Sequence, residues 1–145
     1  MITVLVSGGF DPIHSGHIAY FTAAKELGDE LWVAINSDQW LKNKKGKRFM
    51  PIKERAEIVK NLKMVDRVIV NFDDSDGSAC GAIYKAMSLG ADKIIFANGG
   101  DRDRENTPEE CIYGNMEAVE FVFGVGGTDK INSSSRILEE WRNES

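Results

Sequence analysis

The chain's only two histidines, His14 and His17, stand three residues apart in SGGFDPIHSGHIAYF, residues Ser7–Phe21. Glycines and a proline precede them and a helical pattern follows, so the pair falls where a first strand hands over to a first helix. Gly8 and Gly9 let the backbone approach a ligand closely. A helix that starts at Ser15–His17 presents unpaired N–H groups and the positive end of its dipole, a combination that favours bound phosphate. His17 then lies in the first turn and His14 just before it, both able to face one anion. The same dipole disfavours imidazolium, so both rings are expected to be neutral in the empty site. Neutral imidazoles donate to phosphoryl oxygens and gain positive character as negative charge develops. That suits phosphoryl transfer, where positioning and electrostatics supply most of the catalysis.

Two other readings fit the same residues. A zinc pair needs further His, Cys or carboxylate ligands, and the chain has no third histidine, so no dedicated protein cage for a metal is expected. A structural pair bonded to the backbone satisfies the spacing equally well.

These side chains need a frame to hold them. Ile2–Val6, Glu30–Asn36, Arg67–Val70, Lys93–Asn98 and Val119–Gly124 are short β-rich runs bounded by Gly, Asp or Asn. Between them, Ser15–Leu27, Pro51–Leu62, Gly77–Leu89, Pro108–Met116 and Ser133–Trp141 read as helices. Tyr20, Ala23, Ala24 and Leu27 share one face of the first, and Ile52, Ala56, Val59 and Leu62 one face of the second. Alternating strands and helices imply right-handed crossovers and a single Rossmann-like α/β domain, a parallel five-stranded sheet with helices on both faces. Ligands of such sheets gather beyond the carboxyl ends of the strands. The histidine loop, NSD (Asn36–Asp38) after strand 2 and NGGDRDR (Asn98–Arg104) after strand 4 all fall there. No GxGxxG fingerprint and no Walker A pattern follows the first strand.

The whole composition sets bounds on function. At 145 residues, 42% hydrophobic and 28% charged, residues 1–145 fit one globular domain. A formal charge of −5 argues against broad binding to nucleic acid or an anionic membrane. No window is apolar for long enough to span a bilayer, and MITVLVSGG lacks a basic n-region, so a cytoplasmic protein is expected. Cys80 and Cys111 read as buried thiols rather than a disulfide or CxxC site. Within this acidic chain, LKNKKGKR (Leu41–Arg48) collects five basic residues beside the proposed site. We read it as a mobile basic lid that closes on triphosphate rather than as ordinary solvated surface.

GGFDPIHSGH, a G-x-F-D strand end followed by H-x-G-H, resembles the signature of the HxGH nucleotidyltransferases, the cytidylyltransferase-like superfamily. LGDELWVAINSD, Lys45-Gly46, PIKERAEIVKNLKMVDRVIV, Gly99–Asp101 and NSSSRI extend the likeness along most of the chain. They are similar, in order, to the ADP-heptose-forming nucleotidyltransferase domain and to glycerol-3-phosphate cytidylyltransferases. The resemblance implies transfer of NMP from an NTP to a phosphorylated sugar or polyol with release of pyrophosphate, CTP being favoured over ATP. Mg²⁺ would accompany the triphosphate, and the assembly would be a homodimer. It implies that His14 and His17 stabilise the α-phosphorus and that Lys45 clamps phosphates. Gly8, Gly9, Phe10, Asp11, Gly16, Asp38, Arg55, Gly99, Asp101, Ser133, Ser134 and Ser135 would form the nucleotide site, Asp11 by fixing the loop or by helping to hold a metal–triphosphate. Arg102, Arg104 and Lys130 are candidates for the acceptor. GGTDKINSSS keeps Lys130 but lacks the arginine of the R-T-E-G-I-S-T stretch that the cytidylyltransferases carry. A mononucleotide adenylyltransferase of the nicotinate-mononucleotide type and a catalytically silent nucleotide-binding module are the alternatives. Trp32, Ile69 and Phe72, apolar and close to short linkers, are the residues expected to pair the protomers.

Overall fold

The computed structural model describes residues 1–70, 80–99, 118–125 and 134–143. Five strands form one sheet: β1 (Ile2–Gly8), β2 (Glu30–Ile35), β3 (Arg67–Ile69), β4 (Lys93–Gly99) and β5 (Val119–Val125). All pairs are parallel, in the order β3-β2-β1-β4-β5. The helices are α1 (Ser15–Lys25), α2 (Asp38–Lys45), α3 (Ile52–Lys60), α4 (Cys80–Ser88) and α5 (Ser134–Asn143). The expected strands are each found, with ends shifted by one or two residues. The expected helix Pro108–Met116 and Cys111 lie outside the described residues.

The central strands read as near-continuous apolar runs because both of their faces are covered. Strand alternation sends Leu5, Trp32, Ala34, Ile69, Phe96 and Phe121 to one face, where Ala82, Ile83 and Ala86 of α4 cover them. Val4, Val6, Leu31, Val33, Ile35, Ile95 and Ala97 face the other way, against Phe21 and Ala24 of α1 and Val59 of α3. Three expectations change here. In α1 the buried residues are Phe21 and Ala24, and Leu27 is exposed, because the helix ends at Lys25 before Leu27 can turn inward. Trp32 and Ile69 are buried in the core, so neither offers apolar surface for pairing protomers, and Phe72 lies outside the described residues. Five of the eight residues of the expected basic lid are helix: Ser37 caps α2 by accepting from the Trp40 N–H at 3.0 Å, and Leu41 is fully buried beneath it. Gly46 ends α2 in the left-handed conformation. No helix among the described residues is long and apolar enough to cross a membrane.

Candidate active site

The two histidines form the N-terminal cap of α1. His14 is the N-cap residue, and its Nδ1 accepts from the Gly16 N–H at 3.0 Å. His17, at the third helical position, reaches back so that its Nδ1 accepts from the His14 N–H at 3.2 Å. This is the reciprocal arrangement of a capping box, with imidazoles replacing the usual hydroxyl and carboxylate. The rings lie 3.9 Å apart, tilted by 30°. An Nδ1 that accepts needs its lone pair, so each neutral ring carries its proton on Nε2. The cap therefore converts two imidazoles into two Nε2–H donors side by side at the positive end of a helix. Burial lowers the His14 pKa below the ordinary imidazole value, which keeps the ring neutral. The structural and catalytic readings of the pair are compatible, because they use opposite nitrogens.

Glycine at two positions makes this geometry fit. A Cβ on Gly16 would lie 2.8 Å from His14 Cε1, so the glycine of H-x-G-H is the space in which the first imidazole lies. A Cβ on Gly8 would come within 2.9 Å of the Phe10 ring. Phe10, at φ 52° and buried, meets His17 edge-on at 4.9 Å and Phe21 at 5.2 Å. The His17 ring is thus wedged between its backbone bond and an aromatic wall.

Three expected nucleotide-binding residues turn out to hold the loops that surround the pair. The Arg55 guanidinium is fully buried, where the resemblance placed it against nucleotide. Its Nε donates to the Met50 carbonyl, its NH1 to the Gly9 and Asn36 carbonyls, and its NH2 to Asp38 Oδ1, all within 2.7–2.9 Å. With four of its five N–H donors so engaged, Arg55 ties the glycine loop, the end of β2 and the approach to α3 into one unit. Asp38 Oδ1 also accepts from the Ile52 N–H at 2.9 Å, and its Oδ2 lies 3.3 Å from Arg48. Asp11 is buried, with its two oxygens accepting from the backbone N–H groups of Phe49 and Met50. Both carboxylates accept from donors of the protein, Asp11 wholly buried and Asp38 partly exposed.

The remaining expected residues are placed less fully. Lys45 ends α2, Gly99 ends β4, and Ser134 and Ser135 open α5. Asp101, Arg102, Arg104, Lys130 and Ser133 lie outside the described residues. Among the described residues no group of three or more His, Cys, Asp or Glu could hold a metal ion. Two polar residues matter more than their sequence context suggested. The Tyr20 hydroxyl, expected on an apolar face, donates to the Ala97 carbonyl and ties α1 to β4. Asn98, the penultimate residue of β4, is buried, and its side-chain nitrogen has no partner among the described residues. A polar residue at the end of an apolar strand was the only sequence signal for it.

Sequence and fold are shared with known proteins. An FAD synthase of Thermococcus sibiricus is 49% identical over 142 residues, which cover 96% of this chain and 91% of that protein. The bifunctional protein HldE of Actinobacillus succinogenes is 32% identical over 126 residues; these are 78% of this chain but 26% of HldE. The crystal structure of a lipopolysaccharide core biosynthesis protein from Thermoplasma volcanium superposes with a TM-score of 0.67 at 25% identity, covering 89% of this chain and 99% of that one. A protein of unknown function from Archaeoglobus fulgidus shares the fold, at TM-score 0.55 and 16% identity. The cytidylyltransferase-like family matches residues 5–137, a span that runs from β1 through the histidine cap and Arg55 into α5. The chain belongs to the cytidylyltransferase-like family of nucleotidyltransferases.

Proposed function

We propose that the protein transfers AMP from ATP to FMN, forming FAD and releasing pyrophosphate. The observation that carries this reading is the near full-length likeness to an FAD synthase, 49% identical over 142 residues. FMN is a ribityl phosphate, so it belongs to the polyol-phosphate class of acceptor that the sequence resemblance implies. The nucleotide moves from CTP to ATP on the same likeness.

An oxygen of the FMN phosphate attacks the α-phosphorus in line. The bond from that phosphorus to the bridging oxygen of the β-phosphate breaks, and pyrophosphate leaves with the electron pair. A phosphomonoester has its second pKa near 6, so the nucleophile is already ionised at neutral pH and needs no general base. What the protein must supply is position and charge stabilisation. His14 and His17 supply two Nε2–H donors to the oxygens of the pentacoordinate α-phosphorus, at the N-terminus of α1. Lys45 and the serines at the start of α5 would hold the outer phosphates. Mg²⁺ arrives on the triphosphate as part of the substrate, since Asp11 and Asp38 are occupied by protein donors. A homodimer is the expected assembly on the family resemblance alone, and light scattering checks it.

The similarity to HldE favours a second reading, ATP with a sugar phosphate as acceptor. One screen separates the two. Pyrophosphate release is measured with ATP, CTP, GTP and UTP, each crossed with FMN, glycerol 3-phosphate and heptose 1-phosphate. Turnover with ATP and FMN above all other pairs is expected. Turnover of another pair with FMN inert refutes the FMN reading, and release with no pair leaves a nucleotide-binding module.

A further inference from the structure

The side-chain Nδ2 of Asn98 is an amide donor buried without a hydrogen-bond partner among the described residues, in a residue 2% exposed. An unpaired buried donor costs stability, and native structures keep few. Its place in the fold gives it a use. The strand order β3-β2-β1-β4-β5 reverses between β1 and β4, and ligands of open parallel sheets bind in the crevice outside that reversal. β1 ends at Gly8, in the histidine loop, and β4 ends at Gly99, so Asn98 stands at the mouth of the crevice.

The surroundings hold it there. Ala97 pairs with Val122 and Gly99 with Val125, so β5 carries an extra residue opposite Asn98, and Gly124 adopts φ 70°. Bulges of this kind are over-represented beside active sites, where they re-aim side chains or end the ladder. On its other flank, the Tyr20 hydroxyl secures the Ala97 carbonyl to the helix that His14 caps. The fold thus holds a buried amide at the end of β4 and leaves its N–H groups without a partner among the described residues.

We propose that Asn98 is a specificity-determining residue whose side-chain N–H groups pair with a neutral lone pair, a ring nitrogen or carbonyl oxygen, on the heterocycle of a bound substrate. An uncharged amide is a poor rival for phosphate beside the histidine pair and the α1 N-terminus, where charge-assisted bonds are stronger. Two heterocycles enter the reaction, the nucleobase and the isoalloxazine. This assignment of heterocycles rests on the adenylyl-transfer reading above.

The test uses Asn98→Leu, which keeps the branched skeleton of the side chain but removes the donor, and Asn98→Ala, which removes it should the bulkier leucine not be accommodated. KM for ATP, KM for FMN, kcat and melting temperature are measured for the full chain. We expect one of the two KM values to rise about tenfold while kcat holds, the scale of one lost hydrogen bond. Whichever KM moves identifies the heterocycle read. The melting temperature of Asn98→Leu should equal or exceed that of the parent, since an unpaired donor has gone. KM values for both substrates within twofold of the parent overturn the proposal, and a lowered melting temperature beside them makes Asn98 a structural residue. If the substrate screen finds a different pair, the FMN reading has failed, and the Asn98 proposal is tested on the KM values of that pair.

Discussion

Gly16→Ala sets two effects of opposite sign against each other and separates folding from catalysis. A methyl group at this position lies 2.8 Å from His14 Cε1 and 3.0 Å from Nδ1, against the roughly 3.4 Å at which ordinary contact begins. The imidazole must swing away, and the 3.0 Å bond from the Gly16 N–H to Nδ1 goes with it. Loss of an N-cap bond costs about 1 kcal/mol. Replacing glycine by alanine within a helix returns about 0.5–1 kcal/mol. The two nearly cancel, so the melting temperature should shift by only about 2 °C. Catalysis has no such compensation. With Nδ1 released, the ring has no bond fixing its Nε2–H direction, and its 3.9 Å stack on His17 is lost. Removal of one preorganised donor lowers kcat by roughly 10²–10³-fold, or about 2.7–4 kcal/mol. Nucleotide KM should change much less, because the α1 N-terminus and the glycine loop remain. Steady-state pyrophosphate release and a thermal melt on the same preparation provide both readouts. A kcat within threefold of the parent would refute the claim that the cap aims the imidazoles.

Arg55→Met should destabilise the fold by about 3 kcal/mol or more, because the Gly9, Asn36 and Met50 carbonyls and Asp38 all lose their donor; urea unfolding measures it, and a loss below about 1 kcal/mol would contradict the network. Burial lowers the His14 pKa, so the unfolded chain takes up its proton near pH 6.5 and the folded chain only at lower pH. Between those values the unfolded state binds more protons, so the His14 contribution to stability is full above about pH 6.5 and falls as the pH drops below it. His14→Asn keeps a good N-cap and should flatten that part of the stability–pH curve, which urea melts at several pH values between 5 and 8 would show. Lys45→Ala should lower kcat/KM by about tenfold or more if the end of α2 clamps phosphate, while Lys47→Ala should stay within about twofold; equal effects would return the segment to solvated surface.

The sequence alone determined the frame and the reaction class, nucleotidyl transfer. Five apolar runs alternating with helical patterns can close only as a covered parallel sheet, and that topology sends the histidine loop to the carboxyl edge. The H-x-G-H spacing puts both imidazoles in one helical turn, a local relation that tertiary contacts do not alter. Tertiary structure decided which charged side chains hold the loops. Arg55 and Asp38 lie 17 residues apart, and Asp11 and Phe49 lie 38 apart; such pairings leave no local pattern that names the partners. The α2 helix was hidden for a related reason. The five basic residues of Leu41–Arg48 read as a mobile lid, and what makes it a helix is one buried leucine, Leu41, under a Ser37 cap. Asn98 shows the limit most plainly: that a donor lacks a partner is a fact about every atom around it, and only the packed chain contains that fact.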